Sequence, residues 1–407
     1  MNEEFGALRP VEKMLFIGAT LAGLISLFGV LLFGAPAVGS GVGDGPGSGA
    51  SDDVGAGPLF AIGAALLIVA AVGAPFIAAR TRLLAGAVLT VVSALVAMRL
   101  LGTLPPTGVG RGTEHVAPGG VFWWQLFGAW LLAWAAVEQL AAVRTRQRAL
   151  RATLALSVPV LFGAWLLLLW ECMVRGLDVP QVLLPAPSVI AERFVTSPSI
   201  LWADFQQTFL KSVLVGWALG CGAGFLVALA IDRSPFLQRG LLPIGNLASA
   251  LPIVGLAPIM VMWFGFDWPS KVAVVVVMTF FPMLVNTIAG LAATQPMQRD
   301  LMRTWGADYT QTLWRLRLPA AMPFVFNALK INSTLALIGA IVAEFFGTPI
   351  VGMGFRISTE VGRMNVDMVW AEIAVAAVAG STFYGLLALI ERRITHWHPS
   401  MRVRAVG

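Results

Sequence analysis

Apolar runs of about twenty residues, enough for a helix to cross the hydrocarbon core of a bilayer, recur along most of this chain. About ten such spans can be marked. They run from Met14 to Gly34, Leu59 to Ala79 and Leu83 to Leu101, with a fourth from the aromatic belt Phe122-Trp123-Trp124 to a basic run at Arg144–Arg151. Six more follow: Thr153–Cys172, Phe209–Ile231, Leu241–Gly265, Lys271–Leu291, Phe324–Phe346 and Asp367–Ile390. Composition agrees. The chain is 58% hydrophobic and only 12% charged, where a soluble domain carries roughly a quarter charged residues. The sequence therefore predicts an all-α, multi-pass membrane protein embedded in a lipid bilayer.

Charge sets the expected orientation. The formal net charge of +6 would raise nucleic-acid binding in a soluble protein, but here the arginines lie in short loops beside apolar spans. Arginine at 80–82, 144–151, 299–317 and 392–404 falls on one side of the predicted helices. Basic loops stay cytoplasmic, so both termini are expected inside. The Gly-rich stretch Ala35–Pro58, which lacks Lys and Arg, is expected outside as a flexible loop. The first span, with no small-residue cleavage site close behind it, reads as a retained anchor. Two cysteines, Cys172 and Cys221, are expected to be packing residues, and His115, His396 and His398 to lie in a loop and the tail. The basic run marks the expected domain boundary: residues 1–150 as a four-span N-terminal module, residues 151–407 as a six-span domain.

Between the eighth and ninth spans lies a polar, Arg-rich island, Asp300 to Pro319 (DLMRTWGADYTQTLWRLRLP). Pro296 suits the first position of a helix, where a missing N–H costs nothing. Gly306 supplies the left-handed residue that closes such a helix. Asp308, with Gln311 three residues on, forms a capping-box signature for a second helix, expected to stop at Pro319. The island is thus two short helices hinged on one glycine. Two features at membrane depth carry open alternatives. The span Leu241–Gly265 contains Pro243, Pro252 and Pro258 with Asn246 and Ser249, and reads either as a kinked packing helix or as one lining a pathway. Glu344, close to the outer end of the ninth span, is either a hydrogen-bonded gate residue or a substrate contact. Asn327, Lys330 and Asn332 are expected to anchor the inner start of that span.

The island resembles the EAA loop of the membrane subunits of ABC importers. Asp300 stands at the acidic place, Gly306 at the glycine, and Leu316, Leu318 and Pro319 at the hydrophobic-x-Leu-Pro ending; Leu301 and Met302 depart from the usual pair of alanines. Ala307 and Asp308 complete the hinge. LPAPSVI at 184–190, ALPIVGLAPIMVMWFG at 250–265, FFPMLVNTIAGL at 280–291 and IVAEFFGTPIVGMG at 341–354 are similar to the nitrate/taurine/aliphatic-sulfonate group of importer permeases. The resemblance covers roughly the last 250 residues and says nothing of the first 150. It implies a type I importer permease, paired as a homodimer with two cytoplasmic ATPase subunits and an external substrate-binding protein. Its substrate would be a small solute, with an anion such as a sulfonate, taurine or nitrate as the class the resemblance suggests. Relatives with the same motifs also carry neutral heterocyclic vitamin precursors. The chain has no GxxxxGK[ST] phosphate loop, so it is not expected to be an enzyme or to need a cofactor. An ion-coupled secondary transporter is the rival reading, which ten spans and proline-broken helices would suit.

Overall fold

The computed structural model describes residues 82–104, 120–143, 148–234, 236–237, 240, 252–347 and 350–397. The first two predicted spans, the loop between them, the segment holding Asn246 and Ser249, and His115 and His398 lie outside these residues. The chain divides into two compact units between Val189 and Ile190.

In the first unit, α1 (Arg82–Gly102), α2 (Gly120–Ala141) and α3 (Arg148–Gly176) pack side by side. Leu100, Leu104, Phe122, Leu126 and Cys172 share one buried cluster; Ala97, Ala129, Ala133 and Trp165 share another. So α3, the first span of the predicted six-span domain, shares its apolar core with the third and fourth spans. Near its end, Glu171 accepts from both the backbone N–H (2.9 Å) and the hydroxyl (2.7 Å) of Ser188. The start of the helix that follows the extended LPAP segment is thereby tied back to α3.

The second unit contains most of α4 (Pro187–Thr196) and the helices that follow. Helix α5 runs unbroken from Pro198 to Asp232, through a π-helical segment at Gln206–Val213. Then come α6 (Ile253–Phe264), α7 (Trp268–Ala292), α8 (Pro296–Thr304), α9 (Tyr309–Glu344), α10 (Met353–Gly362) and α11 (Val366–Ile394). Among the described residues, α3 from Arg151, α5, α7, α9 and α11 are long and apolar enough to cross a membrane.

Glycine spacing sets the central contact. Gly216, Gly220 and Gly224 recur every four residues on one face of α5 and lie against Val275, Thr279 and Phe280 of α7. A Cβ on Gly220 would stand 2.0 Å from the Thr279 hydroxyl, so only glycine permits this approach. Gly222 points into open space and contributes nothing to it. Helix α9 covers the other side of α7, where Gly290 meets Ala321.

Three expectations need correction. Pro319 does not stop the second island helix. A π segment, Leu313–Arg317, precedes it, with the Leu318 N–H reaching back to the Leu313 carbonyl. The wide π turn shifts the hydrogen-bond register where the proline's missing donor would otherwise break the ladder. The ninth span therefore begins in the island itself, at Tyr309, rather than at Phe324. For the same reason Asn332 is no interfacial anchor. It lies deep in α9, fully buried, and donates to the Thr279 carbonyl (2.7 Å) and to Cys221 Sγ (3.1 Å). The seventh span is broken at Pro252 as expected: that residue is extended and the 12-residue helix α6 follows it, while residues 241–251 lie outside the described residues.

Candidate functional site

The polar island projects from one end of the second unit. Helix α8 begins with Pro296 at its first turn and buries none of its residues. It closes in a Schellman arrangement: Ala307 N–H bonds to Met302 O (3.0 Å), Gly306 N–H to Arg303 O (2.9 Å), and Gly306 has φ +70°. The next residue but one starts α9. The Asp308 carboxylate accepts from Gln311 N–H at 2.6 Å, and the Gln311 side chain takes the Asp308 N–H in return. The hinge and capping box thus stand where the sequence places them.

The island is anchored to the bundle at both of its helices. Arg299 of α8 donates to the Thr294 hydroxyl (2.8 Å) and the Ala292 carbonyl (2.7 Å) at the end of α7, and Arg317 makes the larger clamp. Arg317 donates through both terminal nitrogens to Asp232 at the end of α5 (2.6 and 2.7 Å) and through Nε to the Leu291 carbonyl of α7 (3.2 Å). Tyr309 adds its hydroxyl to the same Asp232 (2.8 Å). Leu313 packs with Leu291 and Ala321 beneath. Asp300, by contrast, is exposed and meets only Arg303, one helical turn on. Met297, Leu301, Trp305 and Trp314 are exposed apolar side chains on this projection. Met302, Ala307, Leu316, Leu318 and Pro319 are half-buried.

At the opposite end of the unit a buried polar cluster surrounds the N-terminus of α10. Gly352 N–H bonds to Asp204 (2.6 Å), Met353 N–H to the Thr208 hydroxyl (2.8 Å) and Gly354 N–H to Glu344 (2.8 Å). Three successive amides are held by side chains from α5 and α9. The helix N-terminus favours the two carboxylates. Thr208 in turn donates to Glu344 at 2.9 Å. Gly352 must be glycine: its φ is +141°, and a Cβ would strike the Glu344 carboxylate at 2.8 Å. Arg356 pairs with Asp204 (2.8 Å). Burial works against the Arg356 charge, but the bond to Asp204 and the carboxylates of Asp204, Glu372 and Glu360 push its pKa above the ordinary value. Lys271, also buried, donates to the carbonyls of Phe266, Asp267 and Gly347.

Of the two readings for Glu344, the geometry shows a fully buried, hydrogen-bonded residue. It also borders a cavity of about 720 Å³ lined by Phe266, Phe345, Phe346, Phe355, Asp267 and Thr359 among others. Pro258 lies inside α6, whose Ala257 and Met260 pack against Ala343, so this helix adjoins the Glu344 end of α9. Neither Pro252 nor Pro258 lines that cavity. Sequence reasoning missed Asp204, Thr208, Lys271 and Glu372. Asp204 was hidden because α5 begins far ahead of Phe209, and Glu372 because it is one carboxylate in an apolar run. Lone acids inside such runs were the available signal.

A glycine-packed bundle of long apolar helices with a hinged helical projection at one end is the architecture of a polytopic membrane protein. The family of binding-protein-dependent transport system inner membrane components matches residues 220–396. The formylaminopyrimidine transport permease protein of Halalkalibacterium halodurans is 32% identical over 239 residues, 59% of this chain and 95% of that protein. The riboflavin transport system permease protein of Chloroflexus aurantiacus is 30% identical over 60% of this chain and 91% of its own length. The taurine transport system permease protein of Escherichia coli is 27% identical over 58% and 87%. The chain belongs to this family of ABC importer permeases, and with that the secondary-transporter reading falls away.

Proposed function

We propose that this permease forms the translocation pathway of an ATP-driven importer and that its polar island is the surface on which a cytoplasmic ATPase docks. The observation that carries this reading is the island itself. One short helix and the projecting first turns of α9, joined by a Schellman glycine and a capping box, expose Met297, Leu301, Trp305 and Trp314. Through Arg317 they are clamped to the ends of α5 and α7. A partner moving that projection would move the transport helices, since the second projecting helix is continuous with α9. ATP hydrolysis then resides on separate subunits, two copies of them, beneath a permease homodimer in the inner cell membrane. An external binding protein delivers the solute. This orientation puts the island and both termini in the cytoplasm and the Glu344 cluster at the outer face, as a gate. The four N-terminal spans serve as an accessory module.

The substrate is a small solute. Sulfonate, taurine and nitrate permeases among the relatives support an anion. The cavity beside Glu344 favours a second class: four phenylalanines with two carboxylates would repel an anion and stack against a flat neutral ring, such as the formylaminopyrimidine or riboflavin named for two relatives. The test is uptake in vesicles carrying the permease with its co-purified ATPase and binding protein, with and without ATP. Sulfonates, nitrate and pyrimidines would be offered in turn. Uptake that follows an ion gradient and ignores ATP would sink the importer reading; uptake of only one solute class decides the substrate.

A further inference from the structure

The polar cluster at the Glu344 end contains one carboxylate that nothing satisfies. Glu372 of α11 is 0% exposed, and neither of its oxygens has a hydrogen-bond donor. Where α11 packs against the first turns of α5, it faces not a donor but another fully buried acid, Asp204. The other charged groups facing it are accounted for. Asp204 takes Arg356 and the Gly352 N–H; Glu344 takes Thr208 and the Gly354 N–H; Glu360 takes Arg363 and Asn365. Lys271 acts on Glu344 and Asp267 and gives its hydrogen bonds to carbonyls. Hence three clustered carboxylates, Asp204, Glu344 and Glu372, meet two cations, Arg356 and Lys271. One negative charge is left over, and Asp204 and Glu372 are themselves 0% exposed.

An unpaired charge buried in apolar surroundings is resolved by neutralisation. A metal does not fit: among the described residues no group of three or more acid, His or Cys side chains is placed to hold one. A carboxyl without a donor of its own, facing a second carboxylate, is joined to it when it holds a hydrogen and donates it across. We propose that Glu372 and Asp204 form a proton-binding site, in which a single proton on Glu372 is donated to Asp204. That proton ties α11 to α5 at the same point where Asp204 holds the N-terminus of α10. Opening this end to water would free the proton and leave two carboxylates repelling one another, so occupancy and closure are coupled.

The proposal is tested by infrared spectroscopy of the full-length permease in lipid at neutral pH, with glutamate labelled at the carboxyl carbon. The parent should show a protonated-carboxyl stretch that shifts with the label. The band should vanish in Glu372→Gln and persist in the control Glu360→Gln. Glu372→Gln supplies an N–H in place of the O–H and should unfold thermally with the parent. Should it fail to fold, Asp204→Asn is the second variant: its amide donates to Glu372, which can then ionise, and the band should again be lost. A parent spectrum with no label-sensitive protonated carboxyl, or a band that survives both substitutions, overturns the site. So does a parent whose stability falls when sodium and potassium are replaced by a bulky organic cation, for then a metal ion and not a proton neutralises the pair.

Discussion

Arg317 grips Asp232 with both arms of its guanidinium, at 2.6 and 2.7 Å, and so joins the island end of α9 to the end of α5. Both side chains are largely buried, 15% and 4% exposed. Bidentate geometry makes this pair directional as well as charged. Because the same Arg317 also holds the Leu291 carbonyl, three long helices meet at one residue.

Breaking that pair should be costly. Arg317→Ala leaves Asp232 buried beside Tyr309 without its cation, a change worth about 3–5 kcal/mol when one partner of a buried pair is removed. The paired replacement Arg317→Met with Asp232→Leu should recover much of it. Thermal unfolding of both single variants and the double variant measures the coupling; additive losses would show that the two residues do not act together.

Gly306→Val should separate coupling from folding. Nothing lies within 4 Å of a Cβ at Gly306, but its φ is +70°, so the penalty is backbone strain of about 1–3 kcal/mol. Because the strain is local to an exposed turn, membrane insertion should persist. ATPase pull-down and ATP-dependent uptake should both fail. A variant that binds the ATPase and transports like the parent would reduce the island to an ordinary loop.

Two glycines on α5 should respond in opposite directions. Gly220→Ala sets a methyl 2.0 Å from Thr279 Oγ1 and 2.8 Å from the Val276 carbonyl. Overpacking of this kind costs about 1–3 kcal/mol. Gly222→Ala meets no atom within 4 Å and should gain about 0.5–1 kcal/mol from lower backbone entropy. Equal melting temperatures for the two variants would contradict the glycine-mediated α5–α7 contact.

Thr208→Val removes the hydroxyl that donates to Glu344 and accepts from Met353 N–H. Leaving those buried groups unpaired should cost about 1–3 kcal/mol. The segment entering α10 should then be cut faster by protease, while the island end is unaffected. An unchanged cleavage rate would mean that Thr208 is not what secures α10.

Removal of the N-terminal module bears on the domain boundary. A chain starting near Arg144 should still insert and bind its ATPase, because the island and its clamp lie wholly within residues 190–407. It should nevertheless be less stable, since Trp165 and Cys172 of α3 lose the α1 and α2 side chains that cover them. Loss of ATPase binding by a stably inserted truncation would make the module part of the transport core.

Much of this arrangement is local and therefore readable in advance. A Schellman turn needs a residue at positive φ, which picks out Gly306; a capping box needs Asp and Gln three apart, which picks out Asp308 and Gln311. Helices in lipid must be apolar over a fixed length, so α7 and α11 fall close to their predicted limits. The π segments at Gln206–Val213 and Leu313–Arg317 were not readable. A π turn has no residue signature, and it is the second of them that lets the helix pass Pro319.

The sequence alone determined that the chain is a helical membrane protein with a hinged polar island, because hydrophobic length and turn chemistry are properties of neighbouring residues. Tertiary structure decided which of its sparse charges act together. Asp232 meets Arg317 across 85 residues, and Asp204 meets Gly352 across 148. Asp204 also meets Glu372, on another helix. A charge in an apolar run states only that it must find a partner. Which partner it finds depends on how the glycine faces of α5 and α7 bring their neighbours into place.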